Sequence, residues 1–419
     1  FEHAYVAAPS CTPCRNALMT GQWHWRLGQG ANLWSTLHPK HPVFPLLLED
    51  AGYAVGHWRK AWGPGNWKAL GRTRHPAGTP CKGFEAFLKQ RPAGKPFCFW
   101  LGTSDPHRPY KWQSGAKSGI DLSKIRLPAD LPDAEPVRHD VADYYVEVQR
   151  WDTDVGKAVR LLEEAGELEN TIVVMSGDHG MPFPRHKCNL YDSGTRVPLA
   201  VRWGATVKPN RTVTDFVSFT DLAPTFLEAA GVAVPDVMTG RSLIGVLQSE
   251  RSGLVDAGRH YVLTGRERHT PAQAYPSTEG YPQRAIRTHK YLYIRNFKPD
   301  LWPAGAPDGG ARGRPFADCD GGPTKSYILE HQDDPNVRPF YDLAFAKRPA
   351  EELYDLEKDP DQLHNVAGEA AYARIQADLA ARLMADLKAT GDPRAHGKGD
   401  VFATYPYYGS VKKPPPKWK

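Results

Sequence analysis

The residues best suited to chemistry lie near the start of the sequence, in Cys11 to Gly21, CTPCRNALMTG. Thr12 can act as an N-cap and Pro13 fits the first position of a helix that Gly21 ends. This predicts that Cys11 lies just before a helix N-terminus, where free backbone N–H groups and the helix dipole attract anions. Arg15 adds a fixed positive charge one turn later. The segment therefore predicts a nucleophilic side chain at an anion-binding site.

Carboxylate and imidazole groups follow two apolar runs farther along the chain. Thr171 to Met175 (TIVVM) precedes Asp178 and His179, and Pro96 to Gly102 (PFCFWLG) precedes His107. Carboxylate oxygens are preferred ligands of hard divalent cations, and imidazole can move protons near neutral pH. The Asp–His pair could equally be a turn or a helix cap, and His107 a packing residue. From the residues alone, both alternatives stay open.

The elements that must position these residues are those of an α/β fold. Both apolar runs are typical of buried parallel strands, and Val141 to Ala165 between them has the spacing of an amphipathic helix. Strand, helix and strand in this order predict a parallel sheet with its chemistry beyond the carboxyl ends of the strands. Val197 to Trp203 and Asp215 to Ala230 predict a further strand and a further helix.

The pattern changes after about residue 255. Short β-like segments such as Lys290 to Ile294, the Gly/Pro-rich stretch Pro303 to Pro323 and a late amphipathic helix from about Glu369 to Leu387 predict a smaller α+β domain. We therefore predict a catalytic domain over residues 1–255 and a smaller C-terminal domain over residues 256–419. Its Pro/Lys-rich end, KKPPPKWK, is expected to be disordered.

The composition is that of an ordinary globular protein. The 419 residues include 53 Lys and Arg against 47 Asp and Glu, a formal net charge of +6 that is small for this length. The sequence contains no run of about 18 apolar residues that could span a membrane. We therefore expect neither a nucleic-acid partner nor a membrane partner. Six cysteines are too few for a disulfide scaffold.

Cys11 to Gly21 resembles the signature of the sulfatase family, Cys-x-Pro-x-Arg followed by Leu/Met-Thr-Gly, at all of its fixed positions. Met181 to Leu199, which follows the Asp178–His179 pair, resembles through most of its length the heparan N-sulfatase (sulfamidase) branch of that family and the bacterial sulfatases near it. The resemblance implies an alkaline-phosphatase-like α/β/α sandwich with a smaller C-terminal sheet-plus-helix domain. It also implies hydrolysis of sulfate esters or sulfamates of sugars, and N-sulfoglucosamine is the substrate that we expect first.

The same resemblance implies roles for individual side chains. Cys11 would be oxidised to formylglycine, whose hydrated aldehyde attacks sulfur. The residues that would hold the aldehyde and the sulfate or protonate the leaving group are Arg15, Lys60, His107 and Lys187. Asp178 and His179 would bind calcium, although Asn is commoner than His at the second position. Glu267 and His269 would contact the sugar, and a surface ion-pair network is an equal alternative for them.

Two further departures from the family pattern bear on these expectations. Trp62 stands where the family has His. The family takes two further Asp ligands from a strand before the signature, and the ten residues before Cys11 do not contain them. We therefore expect a chain that lacks its first strand, an incomplete calcium site, and no activity for the chain as printed. Cys14 could also form a disulfide that blocks maturation of Cys11.

Other functions remain as alternatives. One is an O-sulfatase acting on an algal or host polysaccharide, and another is a non-catalytic sugar-binding pseudoenzyme, which Trp62 and the missing Asp pair would favour. The pattern Cys11-Thr12-Pro13-Cys14 also occurs in dithiol redox sites and in halves of zinc sites. By analogy with the family we expect a formylglycine-generating maturation enzyme as partner, a sulfated sugar as substrate, and a periplasmic or secreted location.

Overall fold

The apolar runs of the first 250 residues form three small sheets in the computed structural model, which describes residues 1–414. Strands β1 and β7 pair in parallel, β3, β2 and β4 form a parallel sheet in that order, and β5 and β6 pair antiparallel. The strand bounds are β1 His3–Tyr5, β2 Ala54–Arg59, β3 Thr79–Pro80, β4 Phe97–Gly102, β5 Val173–Ser176, β6 Leu199–Arg202 and β7 Phe216–Ser218. The strands predicted at β4, β5 and β6 are confirmed to within two residues at each end.

Helices cover these sheets. Their bounds are α1 Cys11–Thr20, α2 Phe44–Asp50, α3 Phe84–Gln90, α4 Ser114–Lys117, α5 Glu135–Glu164, α6 Asp192–Thr195, α7 Leu222–Ala229 and α8 Ile244–Gln248. Helix α5 begins six residues before the predicted start at Val141, because Pro136 fits its first turn and the apolar side chain of Val137 is already buried. Together the sheets and helices give the predicted α/β architecture.

Strand β4 shows how the layers are stacked. Phe97 and Phe99 pack against a cluster that includes α3 and α5, while Cys98 and Trp100 pack against the larger cluster that includes α1, α2 and α7. Successive side chains of a strand point to opposite faces, so β4 lies between two helical layers. This arrangement brings the carboxyl end of β4 to the same region as the start of α1.

Strands β4 and β5 are less covered than their sequences predict. Among residues 1–414, β4 hydrogen-bonds with β2 alone and β5 with β6 alone, and most side chains of both strands are half-buried. The predicted parallel pairing of one sheet through both strands is therefore wrong for the described residues. Within residues 1–414, each of these two strands keeps one edge without a strand partner.

We predicted one helix over Asp215 to Ala230, but this segment is divided between a strand and a helix. It begins as β7 and turns into α7 after a single 3-10 turn, Phe219–Asp221. The Ser218 hydroxyl accepts from the Thr220 N–H, and the Asp221 carboxylate accepts from the Ser218 N–H at 3.1 Å. This capping arrangement ends the strand and starts the helix.

The later part of the chain forms a separate antiparallel sheet in the order β11-β10-β9-β8. Its elements are β8 Tyr261–Arg266, β9 Gln283–Thr288, β10 Tyr291–Asn296, β11 Glu351–Asp355, α9 Pro323–Glu330, α10 Arg338–Phe345, α11 Ala373–Ala389 and α12 Val401–Thr404. Leu383 and Leu387 of α11 pack on Ile286 and Tyr293 of the sheet. The sheet and late helix predicted here are confirmed, while the domain boundary at residue 255 stays a prediction.

Two further expectations concern the surface and the end of the chain. None of the helices within residues 1–414 is long and apolar enough to cross a membrane. The predicted disordered tail, Lys412 to Lys419, falls mostly on residues 415–419, which lie outside the described residues.

Candidate active site

Cys11 is the first residue of α1, and its neighbours hold the start of the helix in place. The N-cap is Ser10, not the predicted Thr12. Its side chain makes no cap bond but lies 2.8 Å from Nδ1 of His269, and Thr12 Oγ1 donates instead to the carbonyl of Pro64 at 2.5 Å. Cys11 is therefore inside the first turn and 2% exposed.

Two nitrogens converge on the Cys11 sulfur. Lys60, which follows β2 directly, places Nζ 3.0 Å from Sγ, and His179, which follows β5, places Nε2 at 3.4 Å. Burial alone would raise the pKa of the Cys11 thiol, but the Lys60 ammonium and His179 outweigh burial and lower it to about 5. The side chain is therefore a thiolate at neutral pH, with donors arranged around a negatively charged atom.

Arg15 anchors Asp178 beside this sulfur. Its Nε donates to Asp178 Oδ2 at 2.8 Å, and its Nη1 donates to the carbonyls of Lys60 and Ala61 at 2.7 and 3.0 Å. Burial would raise the pKa of Asp178, but the guanidinium and His179 hold it well below its usual range. Arg15 thus fixes the positions of both Asp178 and Lys60.

His179 is the link between Asp178 and Cys11. Its Nε2 lies 3.4 Å from Asp178 Oδ1 as well as 3.4 Å from Sγ. Burial would lower the pKa of this imidazole, but Asp178 and the thiolate together raise it. The five residues Cys11, Arg15, Lys60, Asp178 and His179, predicted from three separate segments of the sequence, are brought together in one cluster.

Lys187 lies next to the cluster and has a partner that the sequence did not reveal. Its Nζ donates to Asp320 Oδ2 at 2.7 Å, and the pair is largely buried. Burial would raise the pKa of Asp320, but Lys187 holds it far below its usual range, with contributions from His269 and His107. Asp320 comes from the Gly/Pro-rich stretch that was interpreted only as a connection, and its sole signal was a carboxylate within DCDGG.

His107 lies at the exposed rim of the same region. Its Nδ1 is 2.6 Å from the carbonyl of Arg108, which can only accept, so Nδ1 carries a proton and Nε2 is the nitrogen left for chemistry. Its charge is one of the contributions that lower the pKa of Asp320. The role of His107 as a proton donor stays a prediction.

The two predicted sugar contacts occupy different surroundings. His269 joins the site through Ser10 and is buried, and burial with the charge of Lys187 holds its pKa well below the usual value. Glu267 does not join it. Its carboxylate accepts from Arg284 at 2.8 Å and from Arg394 at 2.8 and 2.6 Å, with 1% of the side chain exposed. This geometry argues against a sugar contact, because both oxygens are already bound within the fold.

Trp62 does not take the place of an active-site histidine. Its indole Nε1 donates to Asn16 Oδ1 at 2.7 Å, and the ring is packed in the main core. The departure from the family pattern at this position therefore has a structural function, which is to tie the loop after Lys60 to α1.

Calcium fits poorly to the donors present. It takes about six to eight oxygen ligands. The described residues offer here a cluster of one thiol, one carboxylate and one imidazole, Cys11, Asp178 and His179, whose ligand atoms lie within 4.8 Å of one another. One oxygen of Asp178 is already bound by Arg15 at 2.8 Å. These residues alone do not make a calcium site, so we assign no reaction step to the ion.

The dithiol alternative also fits poorly. Cys14 is a free thiol in the main core, and burial raises its pKa well above the ordinary value. A redox pair needs an accessible thiolate and a partner that can attack, and Cys14 is fully buried.

Comparison with known proteins agrees with this geometry. The sulfatase family profile matches residues 81–232, and the profile of the N-sulphoglucosamine sulphohydrolase C-terminal region matches residues 177–302. The chain is 27% identical to an ulvan-active sulfatase of Formosa agariphila, over 94% of this chain and 73% of that protein. It is 26% identical to N-sulphoglucosamine sulphohydrolase of Homo sapiens, over 94% of this chain and 84% of that protein.

Solved structures share the fold. A protein in complex with its substrate D-glucosamine-2-N,6-O-disulfate superposes with a TM-score of 0.63 and 20% identity, over 94% of this chain and 90% of that chain. The predicted alkaline-phosphatase-like fold is thereby confirmed. With the family profiles, the relatives and the assembled cluster in agreement, the chain belongs to the sulfatase family and is a sulfuric ester hydrolase.

Proposed function

We propose that the protein removes sulfate from a sulfated sugar, using a formylglycine made from Cys11. Among sulfated sugars, N-sulfated glucosamine is the proposed substrate. The observation that carries the substrate is the N-sulphoglucosamine sulphohydrolase profile over residues 177–302, a range that contains Asp178, His179 and Lys187. The observation that carries the nucleophile is the convergence of Lys60 and His179 on the Cys11 sulfur at 3.0 and 3.4 Å.

The surroundings of Cys11 suit an aldehyde at this position. Formylglycine, once hydrated, supplies an oxygen nucleophile for the sulfur atom of the substrate. The Lys60 ammonium, which here donates to Sγ, would donate to an oxygen at the same place. The N-terminus of α1 faces the same point and favours the negative charge of a sulfate group.

Lys187 and His107 are proposed to bind the sulfate and to protonate the leaving group, respectively. Lys187 binds the negative charge of the sulfate, and Asp320 holds its ammonium in position at 2.7 Å. His107 gives a proton from Nε2 to the departing nitrogen or oxygen, which an imidazolium can do near neutral pH. His269 lies 2.8 Å from the Ser10 hydroxyl beside Cys11, burial and the charge of Lys187 hold its pKa well below the usual value, and it is proposed to contact the sugar.

Calcium binding by Asp178 and His179 stays a prediction that requires further oxygen ligands. The maturation enzyme is proposed as a partner, because a thiol at position 11 must be converted before the reaction. A periplasmic or secreted location is proposed from the family. The pseudoenzyme alternative is disfavoured, because the proposed catalytic side chains lie together around the start of α1.

An O-sulfatase is the second candidate. It is supported by the similarity to the ulvan-active sulfatase of Formosa agariphila, which at 27% identity matches this chain as well as the human relative does. The two candidates share the sulfate-binding residues and differ in the atom that leaves, nitrogen or oxygen.

The test is sulfate release by the full-length natural protein, co-expressed with a formylglycine-generating enzyme. Mass spectrometry first verifies the aldehyde at position 11. The substrates are N-sulfoglucosamine, glucosamine-6-sulfate and a sulfated ulvan oligosaccharide. We expect release from N-sulfoglucosamine, none from Cys11→Ala, and normal release from Cys81→Ser, a control thiol that is half-buried and distant from the site in sequence.

Each outcome decides between the candidates. Release from the O-sulfated sugars alone would establish the second candidate. No release from any of the three by protein with a verified aldehyde would contradict the proposal, and so would unchanged release by Cys11→Ala.

A further inference from the structure

The carboxylate that binds Lys187 has one oxygen left for a ligand. Asp320 Oδ2 accepts from Lys187 Nζ at 2.7 Å, whereas Oδ1 has no hydrogen-bond partner within residues 1–414. The Asp320 side chain is 20% exposed, against 5% for Lys187. Building on the proposed function, we propose that Asp320 Oδ1 binds the sugar by accepting from the hydroxyl on the carbon next to the sulfated one. The enzyme would thereby select sugars in which that hydroxyl is free.

Lys187 connects Asp320 to the place where the sulfate is proposed to bind. Its ammonium has three N–H donors and no acceptor. One donor binds Asp320, and no other hydrogen bond of this ammonium occurs in the described part of the chain. A sulfate oxygen bound to a second donor would lie about 2.8 Å from the same nitrogen. The sulfate and the Asp320 carboxylate would therefore share one ammonium, so a substituent on the neighbouring sugar carbon is the group that we expect beside Oδ1.

The backbone before Asp320 is held by buried polar contacts. The Asp318 carboxylate accepts from Arg266 at 2.7 Å and from the N–H and hydroxyl of Thr270 at 2.9 and 2.7 Å. The buried Lys325 ammonium donates at 2.8 to 3.0 Å to three carbonyls, those of Pro315, Phe316 and Cys319. Because these contacts fix the backbone, the acceptor is positioned before a sugar arrives, which lowers the entropy cost of binding.

The backbone after Asp320 is packed on Arg108. Thr324 donates through its N–H and its hydroxyl to Asp140 at 3.1 and 2.7 Å. Arg108 binds both oxygens of the same carboxylate at 2.7 and 2.8 Å. A Cβ at Gly322 would lie 2.3 Å from the Arg108 guanidinium, which these bonds hold in place, so the chain passes too close for a side chain. The loop is therefore fixed on both sides of Asp320.

Open space borders Asp320 in this loop. A Cβ at Gly321 would meet none of the described atoms within 4 Å. His107, the predicted proton donor, directly precedes Arg108 in the sequence, so the Asp320 loop packs on the segment predicted to serve the leaving group. A fixed acceptor next to open space suits a sugar hydroxyl, and a contact that only positioned Lys187 would not need the second oxygen to be free.

The charge of Asp320 determines which sugars are selected. A hydroxyl can donate to the carboxylate, and a hydrogen bond to a charged group is stronger than one between neutral groups. A sulfate on the same sugar carbon has no hydrogen to donate, and its negative charge is repelled by the carboxylate. Because Asp320 is partly exposed, we expect a preference for the free hydroxyl of about tenfold to a hundredfold, less than in a fully enclosed pocket.

The test compares two probes that differ at this hydroxyl alone. They are the methyl glycoside of N-sulfoglucosamine and the same glycoside with a second sulfate on its 3-hydroxyl. In both, carbon 1 carries no free hydroxyl, so the 3-hydroxyl is the donor next to the sulfated position. Calorimetry measures Kd for the full-length natural protein with Cys11→Ala, which cannot form the aldehyde. For matured protein, kcat/KM is measured from the free amine that loss of the N-sulfate leaves.

Variants separate a sugar contact from a role in positioning Lys187. Asp320→Asn keeps one oxygen for Lys187 and places an NH₂ donor where Oδ1 can lie, so we expect the preference to fall below about threefold. Loss of the charge on Lys187's partner alone would weaken both probes and leave their ratio unchanged. Asp333→Asn, an exposed position with the same change of charge, should keep the parent's ratio. Circular dichroism verifies folding, and Asp320→Ser serves if the asparagine variant is not folded.

The proposal would be overturned by the absence of binding of either probe, by equal affinity of the parent for both, or by an unchanged ratio in Asp320→Asn. Binding with the expected preference, but without release by protein with a verified aldehyde, would support the contact and contradict the proposed function. Release without a preference would contradict the contact alone. The two proposals therefore fail in distinguishable ways.

Discussion

Replacing Glu267 with Gln tests whether this residue belongs to the fold or to the substrate. Glu267 and Asp392 face Arg284 and Arg394 in a network of two carboxylates and two guanidinium groups, all at most 8% exposed. The carboxylate of Glu267 accepts three charged hydrogen bonds. Removal of its charge leaves the largely buried Arg394 guanidinium with only the exposed carboxylate of Asp400, at 4.0 Å, as an anionic partner.

The expected cost follows from these contacts. Breaking a buried ion pair by removing one partner costs about 3–5 kcal/mol. The Gln side chain keeps one accepting oxygen and Asp392 still binds Arg284, so we expect a loss of about 3 kcal/mol, the lower end of that range. Such a loss is a large part of the roughly 5–15 kcal/mol that stabilises a typical domain.

Urea unfolding followed by circular dichroism measures this loss, and sulfate release in the absence of urea measures KM. Glu85→Gln is the matched control, because its partner Lys89 is exposed and its unfolding curve should not move. We expect Glu267→Gln to lower the free energy of unfolding and leave KM unchanged. Normal stability combined with a severalfold rise in KM would refute the reasoning and would support the prediction that Glu267 contacts the sugar.

Three further changes test other contacts. Trp62→Phe should lower the free energy of unfolding by about 1–3 kcal/mol in urea, because it leaves the buried amide of Asn16 without its donor. Asp320→Asn should lower stability at pH 7, where the carboxylate bound to Lys187 is ionised. Because the folded pKa of Asp320 is far below its unfolded value, the difference from the parent should shrink only below about pH 4, as urea curves at several pH values will show. Gly102→Ala should cost about 1–3 kcal/mol, since its Cβ would lie 2.0 Å from a backbone oxygen in the loop after β2; an unchanged urea midpoint would contradict this.

Most of the helices and strands that we predicted could be recognised from local patterns in the sequence. The apolar run of β4 and the apolar residues at steps of three and four in α5 reflect burial between layers. Burial of this kind can be predicted from the spacing of apolar residues in the sequence. The same patterns do not record which strands pair. Nothing in the sequence of β5 indicates that it lies antiparallel to β6, because pairing depends on chain segments far apart in sequence.

The site was predicted where a motif and a strand end coincided, as for Cys11 and Asp178. Asp320 was missed because its function depends on a contact with Lys187 across 133 residues, and a carboxylate in a glycine-rich stretch has no local pattern. Glu267 was predicted as a sugar contact because its charge is visible in the sequence, whereas the arginines that neutralise it lie 17 and 127 residues away.

The bond between Ser10 and His269 has a consequence for the order in which the protein forms. These residues are 259 positions apart, and Cys188 and Gly265 donate backbone hydrogen bonds to Pro9 and Ala7 in the same segment. Contacts of such sequence separation form slowly. During synthesis, α1 can form early, but the enclosure of its first turn must await the chain beyond residue 269. Until then the thiol at position 11 is open to solvent. Its reactivity toward an alkylating reagent should therefore decline as folding proceeds, and the rate of alkylation measures the progress of folding.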